Sequence, residues 1–112
     1  MSCERYETVV VGGGPAGSAA AYTLAIAGRQ VCVIDKAVFP RDKLCGGGLT
    51  FRAKRAFQQV FRRSWQADLL NASHEFYFHS NGRFVASFKS ATPVDFMMRF
   101  DFDHYLLRLA QL

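Results

Sequence analysis

The sequence predicts an α/β fold that opens with a parallel strand–helix–strand unit. Three observations carry this. An apolar, β-branched run from Tyr6 to Val11 leads directly into a glycine cluster. An alanine-rich stretch from Ser18 follows and ends at Gly28. A second short apolar run, Gln30 to Asp35, closes the unit. Short apolar runs bounded by turn residues are typical of strands buried in a parallel sheet. A helix between two such runs makes the connection a crossover, which is right-handed in nearly all proteins.

Each element has a local cause. Tyr6 to Val11 and Gln30 to Asp35 are expected as buried strands, because their side chains suit a pleated, enclosed surface. Pro15 suits the first helical position, where its missing N–H is not needed. Gly28 suits the position just past the helix end. Lys36 to Gly48 is expected as a loop, since Pro40 and Gly46-Gly47-Gly48 interrupt regular structure. Leu49 to Arg63 reads as an amphipathic helix. Its apolar face is Leu49, Ala53, Ala56, Phe57, Val60 and Phe61.

Glu75 to Ser80 alternates, with Phe76 and Phe78 on one face and Tyr77 and His79 on the other. Asn81-Gly82 is the preferred pair for a two-residue type I′ turn, and Phe84, Ala86 and Phe88 alternate on the return strand. This predicts an inserted β-hairpin. Val94 to Arg99 reads as a further short strand. Asp101 reads as a helix N-cap, followed by the stripe Phe102, Tyr105, Leu106 and Leu109. Leu112 falls within that stripe, and two parallel strands need further strands to cover both faces of a sheet. The expectation is that residues 1–112 are the N-terminal part of a larger domain.

Composition narrows the function classes. The chain is 112 residues long and half hydrophobic, enough for one small packed unit. It has no apolar stretch long enough to span a bilayer and no export signal, so the expected compartment is the cytoplasm. Cys3, Cys32 and Cys45 make an odd set that argues against a disulfide framework. His74, His79 and His104 lack metal-ligand spacing and read as surface or strand-packing residues; no metal is expected. The net charge of +5 is spread over Arg52, Lys54, Arg55, Arg62, Arg63, Arg83, Lys89, Arg99 and Arg108. No nucleic-acid-binding motif accompanies it, so it reads mainly as a solvated face rather than a nucleic-acid surface.

The pattern Gly12-x-Gly14-x-x-Gly17 gains its meaning from its place between a strand and a helix. The first glycine allows the tight turn, the second lets the backbone approach a pyrophosphate, and the third lets the helix pack on the sheet. The helix start offers unpaired N–H groups and a partial positive charge to phosphate. Asp35 ends the second strand about 20 residues on, where a carboxylate accepts both ribose hydroxyls of an adenosine and repels a 2′-phosphate. This is a Rossmann-like FAD/NAD(P)-binding pattern. It leaves FAD and NAD as alternatives.

The run Phe39-Pro40-Arg41-Asp42-Lys43-Leu44-Cys45-Gly46-Gly47-Gly48-Leu49 adds to this. Together with VVVGGGPAGSAAAYTLA and VIDK, it resembles the geranylgeranyl reductase family, within the flavoproteins similar to p-hydroxybenzoate hydroxylase. Met98-Arg99-Phe100-Asp101-Phe102-Asp103 with Leu106 is similar to that family's arginine and Phe-Asp helix start. The resemblance runs from Tyr6 to Leu112.

The resemblance implies FAD as cofactor. Gly12, Gly14, Ala16 and Gly17, with Pro15 among them, would meet its pyrophosphate, and Asp35 with Lys36 its adenosine ribose. Arg41 to Gly48, Gly47 included, would pass along FAD toward the flavin ring, with Cys45, Gly46 and Gly48 at contact distance. Arg99 would be a further contact. The family reduces isoprenoid double bonds in lipids or chlorophyll precursors, which implies an isoprenoid or lipid-like substrate and peripheral membrane contact in the full-length protein. The electron donor is left open. Related branches are monooxygenases and halogenases, which form the alternative.

A reading of another class is a non-catalytic truncated fragment, because the family's second glycine-containing FAD motif and substrate-lining sheet are absent. This chain alone is then expected to be inactive. Cys45 reads either as a thiol beside the flavin or as a small packing residue. The eleven phenylalanines read as an isoprenoid pocket or as core. No catalytic residue is assigned.

Overall fold

The computed structural model describes residues 4–65 and 70–111. Cys3 and Leu112 lie outside them. Strand β1 (Thr8–Val11), helix α1 (Pro15–Ile26) and strand β2 (Val31–Ile34) form the expected unit. The strands pair in parallel, from Thr8 opposite Val31 to Val11 opposite Ile34. Pro15 follows the N-cap Gly14 as the first helical residue. At the other end Gly28 has φ of 78°. Its N–H donates to Ala25 and that of Arg29 to Leu24, the paired bonds of a Schellman stop.

The burial expected of these strands is corrected. Val9, Val11 and Ile34 are 53%, 81% and 48% exposed. Among the described residues this sheet has two strands only, so much of its apolar surface has nothing packed on it.

The loop expected over Lys36 to Gly48 ends in structure. Gly48–Leu49 forms β3, antiparallel to the far end of β5 (Arg83–Phe96). The following helix, α2, is Phe51–Phe61 rather than Leu49 to Arg63. Thr50 sets its start, with Oγ1 accepting the Ala53 N–H at 3.3 Å, a cap legible in the sequence as a threonine before a helical stripe. Arg62 ends it in the left-handed region, with φ of 53°.

The hairpin is longer than expected: β4 (Asn71–Ser80) pairs with β5, and the expected separate strand at Val94 is the end of β5. Asn81 and Gly82 have φ of 49° and 74°, as a type I′ turn requires. Phe76 and Phe78 share a face, both stacking on Phe88. A register shift between Phe78 and His79 places Phe84 opposite His79, not on the Phe88 face expected for it.

Helix α3 (Arg99–Ala110) starts two residues before the expected cap. Met98 is the N-cap and makes no side-chain cap bond; Asp101 sits in the first turn, where its charge suits the helix dipole. Arg99 is therefore helical, not strand. The core lies where α1, α2 and α3 meet: Phe57, Phe61, Trp65, Met97, Phe102, Leu106 and Leu109, with Ala19 and Tyr22 against it. In the α3 stripe Phe102, Leu106 and Leu109 are buried and Tyr105 is partly buried against them, whereas Ala56 on α2 is exposed. No helix among the described residues is long and apolar enough to cross a membrane.

Candidate functional site

The glycine turn leaves β1 under tight backbone constraint. Gly12 has φ of 105°, a conformation that L side chains rarely adopt, and its N–H donates to the Ile34 carbonyl at 2.7 Å. A Cβ on Gly17 would lie inside the contact shell of the Gly12 carbonyl oxygen, so α1 can approach the strand end only with glycine there. Ser18, fully buried, donates from Oγ to the Gly13 carbonyl at 3.2 Å.

Gly14 differs from both. Its φ is −72°, and a Cβ there would meet only the Nη2 atoms of Arg41 and Arg99, at 3.7 and 4.0 Å. The helix start and two guanidiniums therefore converge on one small space beside Gly14. That space is electropositive and suits a phosphate.

Asp35 faces the same turn from the end of β2. Its Oδ2 accepts the Gly13 N–H at 2.7 Å, and its Oδ1 accepts the Ala37 N–H at 2.8 Å. These two backbone bonds, Gly13 first, hold its carboxyl below the usual aspartate range. Val11, Gly12, Ile34, Asp35 and Lys36 line a cleft of about 460 Å³ at the strand ends. Each carboxylate oxygen keeps acceptor capacity for a hydroxyl in that cleft.

The two arginines are held by one residue that the sequence reading did not single out. Asp103, on α3, is fully buried. Its Oδ2 accepts from Arg41 Nη1 at 2.7 Å and from Arg99 Nη2 at 2.8 Å, and its Oδ1 accepts from Arg99 Nε at 2.6 Å. The bonds to Asp103 raise Arg99 further above its ordinary value, against a burial effect of opposite sign. Arg41 also lies over the Phe39 ring, 4.6 Å from its centroid. The solvated face expected of the basic residues does not include Arg99, whose side chain is 19% exposed and paired with Asp103. The signal available in the sequence was the i, i+4 spacing of Arg99 and Asp103.

The loop residues divide. Gly47 is buried against the strand end, with φ of 77° and a Cβ position 2.7 Å from the Met97 carbonyl oxygen; its own carbonyl accepts the Met97 N–H at 3.0 Å. Gly48 pairs opposite Phe96 in β3. This strap brings Cys45 within electrostatic reach of Arg99. Cys45 is exposed and its Sγ accepts the Gly47 N–H at 3.4 Å. Gly46 has open space around it.

Two of the three histidines, His74 and His79, lie on the hairpin, where Nδ1 of His74 is 3.1 Å from the Ser90 carbonyl. His104 is helical, not in a strand, and lines a cleft that it shares with Gly13, Asp35 and Phe39. Among the described residues no cluster of three or more metal-ligating side chains occurs.

The pattern of a family described as an FAD binding domain matches residues 7–108. Over 61 residues the chain is 59% identical to the menaquinone reductase of Mycolicibacterium smegmatis, a match covering 54% of this chain and 15% of that protein. Over 53 residues it is 49% identical to the geranylgeranyl diphosphate reductase of Rhodobacter capsulatus, covering 47% of this chain and 13% of that protein. The solved structure of the flavin-dependent brominase Bmp2 superposes on 95% of this chain and 27% of its own, with a TM-score of 0.70 and 25% identity. The chain thus spans well under a third of the length of each of these proteins.

Proposed function

This chain belongs to the FAD binding domain family, and we propose that it is the N-terminal, FAD-holding part of an oxidoreductase that reduces isoprenoid double bonds. Its cofactor is FAD. The observation that carries the reading of the site is the space at Gly14, which a Cβ would occupy and which two guanidiniums border. In this reading Gly12, Gly14, Pro15, Ala16 and Gly17 receive the pyrophosphate, and the start of α1 supplies N–H groups to it. Asp35 and Lys36 take the adenosine ribose, with Asp35 as acceptor. Arg41 and Arg99 offset the phosphate charge. Cys45 and Gly46 to Gly48 form the path toward the flavin ring, where glycine leaves room for a flat ring to approach.

Bound FAD supplies the electron-transfer chemistry, and the residues of this chain bind and orient it. The isoprenoid, lipid-like substrate is supported by the 49% identity to a protein named for reducing geranylgeranyl diphosphate. Peripheral membrane contact would follow from such a substrate. A second reading, an FAD-dependent halogenase or monooxygenase, is supported by the superposition on a flavin-dependent brominase.

Purification of the full-length protein tests the first part, and the same protein serves for turnover. The expected result is a yellow protein with a flavin spectrum; a colourless protein that also rejects added FAD overturns both enzyme readings. Oxygen uptake separates them. A reductase consumes no oxygen in proportion to substrate, whereas stoichiometric uptake assigns the second reading.

A further inference from the structure

We infer that Asp103 is a positioning residue that presets Arg41 and Arg99 as a paired clamp on the FAD pyrophosphate. The inference rests on the FAD reading above. A carboxylate without exposed surface is costly to bury unless it is paired and hydrogen-bonded. Asp103 is fully buried and accepts three hydrogen bonds, all from two guanidiniums.

The geometry gives this acid a directional task. Arg41 comes from the loop after β2 and Arg99 from the first turn of α3, so no local structure holds them together. Two adjacent guanidiniums repel one another, and a shared carboxylate offsets that repulsion. Arg41 uses Nη1 on Asp103 and Arg99 uses Nε and Nη2. Arg41 Nη2 and Arg99 Nη2 are then the nearest side-chain atoms to a Cβ built on Gly14, within 4.0 Å. The Phe39 ring beneath Arg41 restricts it further. Two long, flexible side chains are therefore ordered before a ligand arrives, and the entropy of ordering them is not charged to binding. One negative charge against two positive ones leaves the clamp cationic toward a dianionic pyrophosphate.

The test compares FAD, ADP and adenosine in titrations of the purified wild-type and variant proteins. Adenosine reaches the Asp35 side of the site but carries no phosphate. Asp103→Asn is expected to weaken FAD and ADP by about tenfold or more while adenosine changes by less than about twofold. In an Arg41→Gln, Arg99→Gln background, adding Asp103→Asn is expected to change ADP affinity by less than about twofold, since the acid acts only through those arginines. Equal losses for ADP and adenosine assign Asp103 a purely structural role and overturn the inference, as does unchanged ADP affinity. If Asp103→Asn does not fold, single Arg41→Gln and Arg99→Gln proteins carry the test; unchanged ADP affinity in both overturns it. A wild-type protein that binds none of the three ligands overturns the FAD reading itself, and this inference with it.

Discussion

Asp35 Oδ2 accepts the backbone N–H of Gly13 at 2.7 Å, joining the end of β2 to the turn that leaves β1. Its other oxygen holds the Ala37 N–H, so one carboxylate fixes both the phosphate turn and the entry to the following loop. The residue read as a ribose acceptor is also an organiser of the turn. Asp35→Ala is therefore expected to reduce FAD affinity by about tenfold or more, the scale of lost hydrogen bonds to a charged group. Hydrogen exchange should show faster exchange at Gly13 and Ala37 in the variant. Wild-type protection at both amides would separate binding from organisation and leave only the first.

The lowered carboxyl of Asp35 also sets a pH dependence. Its proton is bound more readily in the unfolded chain than in the folded one, so its stabilising contribution is complete above about pH 4. That contribution is lost as pH falls through the lowered folded value. Thermal midpoints of the wild type and Asp35→Asn should differ by a constant amount near neutrality, and the gap should close in acid. A gap of the same size at every pH would contradict the assignment.

The three motif glycines are expected to fail in different ways. Gly17→Ala places a Cβ against the Gly12 carbonyl and should lower the thermal midpoint of the ligand-free protein. Gly12→Ala has open space but a φ of 105°, which should cost about 1–3 kcal/mol of backbone strain. Gly14→Val meets no backbone obstacle. It should leave stability within about 1 kcal/mol and abolish FAD retention, because its side chain fills the space between Arg41, Arg99 and the helix start. Normal flavin content in purified Gly14→Val would show that the phosphate lies elsewhere.

The aromatic core, which contains none of Arg41, Arg99, Asp103 and Asp35, offers a stability control. Phe57 is 4% exposed and stacks on Trp65 with centroids 4.2 Å apart. Phe57→Ala should destabilise the fold by about 3–5 kcal/mol, read from denaturant midpoints. Where the variant remains folded, its ADP affinity should match the wild type.

The elements governed by local chemistry were legible in the sequence. Pro15, Gly28 and Asn81-Gly82 each impose a backbone conformation, and each marks the helix start, helix stop or hairpin turn expected of it. The α3 stripe was legible because its 3.6-residue period survives in the packing. Boundaries were less so. Gly48–Leu49 became a strand because β5 runs far enough to pair with it, a fact not contained in the glycine run. Phe84 changed faces because a bulge shifted the register, which alternation alone does not disclose.

By itself the sequence determined the glycine turn, its helix and the acidic residue at the second strand's end, because glycine and proline constrain φ and ψ residue by residue. It also carried the family resemblance that names FAD. Only the tertiary structure decided that Arg41 and Arg99 meet at Asp103, and that Asp35 bonds to Gly13. The Arg41–Asp103 and Asp35–Gly13 contacts join residues tens of positions apart, and their energy exists only after the chain has returned on itself to bring the partners within hydrogen-bond distance.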